Sequence, residues 1–125
     1  MSAKHVVWFE ILVNDIERAQ TFYETVLATS LEALADPTDE SVQMRMFPAD
    51  TEQHGCGGAL VQNRDASPGG SSVIYFACNN CSVEESRVEA AGGKVLQSKM
   101  KIGEYGFVSL IKDTEGNTVG LHSTQ

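Results

Sequence analysis

The chain has 125 residues, 42% hydrophobic and 21% charged, which suits one globular domain with its own core and excludes a mostly disordered chain. Nine Lys and Arg stand against seventeen Asp and Glu, and the formal charge of −8 disfavours nucleic acid as a partner. No stretch approaches the roughly 20 apolar residues of a membrane span, because Glu10 interrupts the first long apolar run.

Met1-Ser2-Ala3-Lys4 leads directly into strand-like sequence, and Cys56, Cys78 and Cys81 are odd in number. A cytoplasmic protein without a secreted disulfide framework is expected. His5 to Val13 is rich in β-branched and aromatic residues and predicts a strand. On it Phe9, Ile11 and Val13 share one face, and Trp8, Glu10 and Leu12 share the other. Asn14-Asp15 offers a helix N-cap, and Ile16, Ala19, Phe22, Tyr23, Val26 and Leu27 follow at helical spacing. Three shorter strands are expected at about Leu31 to Leu34, Val42 to Phe47 and Gly57 to Val61. The polar, glycine-rich residues 63–70 read as a linker.

The plan then repeats. Val73 to Cys78 reads as a strand, and Ser82 with Glu85 as a capping box opening a helix that ends at Gly92-Gly93. Strands follow at about Lys94 to Met100, Phe107 to Ile111 and Thr118 to His122, the last entered through the turn Asp113 to Asn117. The expected fold class is α+β: two βαβββ modules, about 5–62 and 71–123, within one domain spanning 1–125. They would form a curved mixed sheet around a cup with the helices outside. Strand parity turns Trp8, Glu10 and Leu12, then Val73, Tyr75 and Ala77, then Gly120 and His122 toward that cup.

Phe9-Glu10-Ile11-x-Val13-x-Asp15-Ile16-x-Arg18-Ala19-x-x-Phe22-Tyr23-x-x-Val26-Leu27 resembles the opening motif of the vicinal oxygen chelate superfamily, which includes glyoxalase I, bleomycin-resistance proteins and extradiol dioxygenases. Ala90 to Leu96, Ile102 to Phe107, Asp113 to Asn117, Gly58 to Val61 and Gly120 to Ser123 extend the resemblance over nearly the whole chain. They are most similar to the small lactoylglutathione-lyase-related branch. The resemblance implies a homodimer, and in metal-bearing members a divalent ion held by His, Glu or Gln. Carried onto this chain, those ligand positions are Trp8, Ala59 or Leu60, Val73 and Gly120, none with a donor side chain. No metal and no other cofactor is expected, except an ion at a non-standard site.

Glu10, Tyr75 and His122 each lie two residues beyond a vacant ligand position, about 6.5–7 Å along the strand. As a polar centre, Glu10 would serve as base or acceptor, His122 as proton carrier and Tyr75 as donor. The plainer alternative leaves Glu10 solvated at the cup mouth and His122 exposed near the chain end. Trp8 would supply an aromatic wall. Gln43 and Arg45 have the parity opposite to Met44 and Met46 and are candidates to face the ligand, as are Glu104 and Tyr105 on a glycine-punctuated loop. Cys78-Asn79-Asn80-Cys81 has the spacing of thiol-redox motifs, but Cys78 also has core-facing parity.

Three functions compete at this point. A metal-free protein binding a small organic ligand is favoured, with Glu10 and His122 as the catalytic candidates and Trp8, Gln43, Tyr75, Glu104 and Tyr105 as ligand contacts. A lyase, isomerase or dioxygenase-type enzyme would need a displaced metal or Glu10/His122 acid–base chemistry. A structural or regulatory dimer would have its cup closed by side chains.

Overall fold

The computed structural model describes residues 4–50, 52, 55–62 and 72–125. In chain order their elements are β1 (Val6–Leu12), α1 (Ile16–Leu27), β2 (Glu32–Ala35), β3 (Gln43–Met46) and β4 (Gly57–Gln62), then β5 (Ser72–Ala77), α2 (Cys81–Glu85), β6 (Lys94–Lys101), β7 (Phe107–Lys112) and β8 (Thr118–Ser123). Strand, helix and three strands occur twice, so the class is α+β with two βαβββ modules. The expected linker 63–70 lies outside the described residues.

The chain divides into two compact units, Trp8–Ser72 and Val73–Gln125, the latter joined by the stretch ending at Val7. The His5 carbonyl accepts the Ala77 N–H at 2.9 Å, and the Lys4 ammonium pairs with Glu84 at 3.2 Å, tying the start of the chain to the later unit.

In the unit Trp8–Ser72 the strands run β2-β3-β4-β1, with β1 parallel to β4 and the other pairs antiparallel. Asp15 caps α1 as expected: its carboxylate accepts the Arg18 N–H at 3.1 Å. One face of this sheet packs on α1 through Ile16, Leu31 and the fully buried Leu60, with Ile11, Val13, Tyr23 and Phe47 around them. Leu60 alone represents about 2 kcal/mol of burial free energy. The other face carries a second apolar cluster of Val42, Met44, Ala59 and Val61, against which Trp8, Leu12 and Leu34 pack.

In the unit Val73–Gln125 the strands run β5-β8-β7-β6, with β5 parallel to β8. The second helix differs from the expectation in both its start and its length. Asn80, not Ser82, is the N-cap, its Oδ1 accepting from the Ser82 N–H at 3.1 Å and the Ser82 hydroxyl at 2.7 Å. Glu85 does not close a capping box; its carboxylate accepts the Lys99 N–H on β6 at 2.6 Å. After Glu85 the chain tightens into turns with bonds such as Arg87 N–H to Glu84 and Val88 N–H to Glu85. It still ends where glycine is required, at Gly92 with φ +100°.

Among the described residues no helix is long and apolar enough to cross a membrane.

Candidate functional site

β1 and β4 place the first group of candidates. Their parallel register sets Trp8 beside Gly57 and Glu10 beside the fully buried Ala59, on the sheet face turned away from α1. A Cβ at position 57 would lie 3.2 Å from the indole Cζ3, so glycine lets the ring approach the β4 backbone closely. The indole N–H donates to a Glu10 carboxylate oxygen at 3.2 Å, and both side chains are half-buried. This bond was not anticipated; its only sequence signal is the two-residue spacing that puts both side chains on one strand face.

Gln43 is not on that face, which corrects the expectation for it and for Arg45. Met44 packs with Trp8, Leu12 and Leu34, so its neighbours on β3 point the other way. The Arg45 guanidinium donates to the Gln20 side chain of α1 at 2.9 Å, and Gln62, paired with Gln43, accepts the Ile16 N–H at 2.7 Å. Alternation along β3 gives two faces, and the packing of Met44 with Trp8 decides which of them meets α1.

The later unit holds two further candidates, Tyr75 over Gly120 and His122 against the backbone of Tyr105. Tyr75 pairs with Gly120, and its ring covers that glycine so closely that a Cβ there would collide with it. His122 Nε2 lies 2.6 Å from the Tyr105 carbonyl. A carbonyl only accepts, so Nε2 carries a proton and donates it to this oxygen. The loop returns through a 3-10 turn, Gly103–Tyr105, closed by the Ile102 N–H bonded to the Gly106 carbonyl at 2.9 Å. Gly106 has φ +103°, and a Cβ there would run into the Ser123 carbonyl. Thus Tyr105 meets His122 through its main chain, while its side chain is 48% exposed and Glu104 is exposed as well.

The Cys78/Cys81 pair does not have the character of a redox site. Cys81 is fully buried, its N–H held by Ser123 Oγ at 3.0 Å. Burial, and then the carboxylate of Glu84, push the Cys78 thiol up, against thiolate formation. Among the described residues no three His, Cys, Asp or Glu are grouped to hold a metal ion. At the ligand positions implied by the resemblance stand an indole, buried alkyl groups at Ala59, Leu60 and Val73, and a glycine under an aromatic ring. None offers a lone pair suited to a divalent ion.

Solved structures with a similar backbone were found. A variant of Streptomyces coelicolor methylmalonyl-CoA epimerase, in complex with 2-nitronate-propionyl-CoA, aligns with TM-score 0.69 and 13% identity over 98% of this chain and 96% of that one. The Mycobacterium tuberculosis methylmalonyl-CoA epimerase aligns at 0.68 and 12%, covering 96% and 87%. A hypothetical protein from Bacillus halodurans aligns at 0.73 and 11%, covering 99% and 96%. At these identities the likeness is one of fold. No curated protein sequence matches the chain significantly. The sequence signature described as Glyoxalase/Bleomycin resistance protein/Dioxygenase superfamily matches residues 4–121, and the chain belongs to that superfamily.

Proposed function

We propose that this protein binds a small organic ligand against Trp8 and Glu10 without the metal ion used by many relatives. The observation that carries the reading is the indole of Trp8 standing at the first metal-ligand position, its N–H bonded to Glu10 at 3.2 Å. A flat ring fixed at its edge offers its face as a contact surface. The epimerase complex with 2-nitronate-propionyl-CoA supports small-molecule binding by this fold.

The alternative, a lyase, isomerase or dioxygenase-type enzyme, needs Glu10 and His122 to carry protons. Glu10 is bonded to the Trp8 indole and His122 Nε2 to the Tyr105 carbonyl, so each is held in position by a partner. We further propose a homodimer in a reducing, cytoplasmic compartment. Phe22, Val26 and Leu27 of α1 are each more than half exposed, and all three cysteines are unbridged.

Trp8 is the sole tryptophan, so its emission reports directly on this site. A library of small organic ligands, acyl-CoA esters included, is expected to yield at least one saturable change in emission. Elemental analysis is expected to find no stoichiometric metal. Silence across the library would remove the binding reading. A stoichiometric ion with ion-specific thermal stabilisation would remove the metal-free one.

A further inference from the structure

Along the outer side of α1 lies an open groove of about 350 Å³, with Val13, Asp15, Arg18, Ala19, Phe22 and Tyr23 in its walls. Helical spacing explains why they share it. Asp15, Arg18, Ala19, Phe22 and Val26 recur three or four residues apart and so follow one flank of the helix. The helix turns Ile16 on its other flank into the core. Phe22 and Val26 remain 58% and 61% exposed, although burying such a side chain is worth about 1.5–3 kcal/mol. Tyr23 meets Phe22 edge to face, ring centroids 5.1 Å apart, which holds the exposed ring as a fixed apolar knob beside the groove. Two opposite charges share this face. Arg18 is exposed, and its guanidinium has no hydrogen bond or ion pair among the described residues. Asp15 gives one carboxylate oxygen to the Arg18 N–H and has the other to offer.

We infer that this groove docks the same groove of a second copy, α1 against α1 in antiparallel two-fold contact; the inference rests on the homodimer reading above and gives that dimer its surface. A two-fold contact must be self-complementary, because each residue is met in return by the one it meets. This face meets that requirement twice. Antiparallel helices crossing near Arg18 and Ala19 lay Phe22 of each copy on Val13 and Ala19 of the other, and the small Ala19 lets the helices approach closely. The same crossing brings Arg18 of each copy to Asp15 of the other, pairing a cation that has no partner in its own chain. A parallel two-fold would set Arg18 against Arg18 and Asp15 against Asp15, a repulsive arrangement. A foreign basic segment would meet Arg18 in the middle of the face. The formal charge of −8 opposes self-association in general, but at physiological ionic strength it is screened beyond about 8 Å, whereas these contacts act at shorter range. One helix face is at the small end of interface sizes, which suits a weak, reversible dimer.

The test is sedimentation equilibrium of the full chain, from micromolar to near-millimolar concentration at about 0.15 M salt. A monomer–dimer equilibrium is expected. Phe22→Glu should raise the dissociation constant about 100-fold, since the change enters both sides of the contact. Val83→Glu, at an exposed valine on α2, should leave it unchanged. Asp15→Asn retains a good cap and Arg18→Gln a good helix former. Each should weaken the dimer several-fold, and both together no more than either does singly, because they remove the same ion pairs. If Phe22→Glu folds poorly, the Asp15 and Arg18 variants decide the matter. A dimer indifferent to Phe22→Glu, or additive losses from Asp15→Asn and Arg18→Gln, would overturn this surface while leaving the homodimer reading intact. A monomer at every concentration would overturn both and leave the groove to a partner of another kind.

Discussion

Single residues decide close approaches in this protein that no propensity scale foresees. Ala28 ends α1 in the left-handed region at φ 52°, a conformation that costs a residue with a Cβ about 1–2 kcal/mol. Ala28→Gly is expected to stabilise the protein by about 0.5–1 kcal/mol in urea unfolding, the unfolded-state entropy of glycine offsetting part of the relief. Gly120 shows the reverse case. Its Cα lies under the Tyr75 ring, so Gly120→Ala should destabilise by about 1–3 kcal/mol through overpacking. In the double variant with Tyr75→Ala, most of that loss should disappear, a coupling measurable in a double-mutant cycle. The sequence marks Gly120 only as a missing ligand; the ring above it explains what glycine permits there.

At the scale of elements, α1 was legible throughout, and α2 in its existence but not in its cap or its length. The first helix has twelve residues, an N-cap aspartate and a continuous apolar stripe, so local and tertiary preferences agree. The second has five residues, and the side chains that seemed to define it serve other elements. Glu85 goes to β6, and Asn80 takes the capping role while also accepting from the Lys99 ammonium at 2.9 Å. Asn80→Ala is therefore expected to cost about 1–2 kcal/mol, more than Ser82→Ala, when both are compared by thermal unfolding. β6 and β7 also change register between Val95 and Gln97 and between Gln97 and Met100, irregularities that alternation in the sequence cannot reveal.

For the whole molecule, acid stability follows from carboxylates held in their charged form. The Leu31 N–H and the Gln20 amide lower Glu24, and the backbone N–H and side-chain amide of Asn117 lower Asp113. A carboxyl that binds its proton less readily folded than unfolded contributes stability above the ordinary carboxylate range. That contribution is lost as pH falls through the lowered folded value. The melting temperature should accordingly drop below about pH 4, and Glu24→Gln with Asp113→Asn should flatten that acid limb. The acidic balance also has an address that total charge conceals, since all of it resides in residues 8–72. The sequence by itself determined the repeated βαβββ order, the superfamily, and the lack of donors at Trp8, Val73 and Gly120, because strand and helix periods and side-chain chemistry are local properties. Only the tertiary structure decided that Trp8 bonds Glu10, that Gln43 lies on the sheet face away from Trp8, and that His122 is tied to the Tyr105 carbonyl. Those facts depend on register and on which face each strand turns to its neighbours, and a strand's side-chain alternation is the same whichever face is inward.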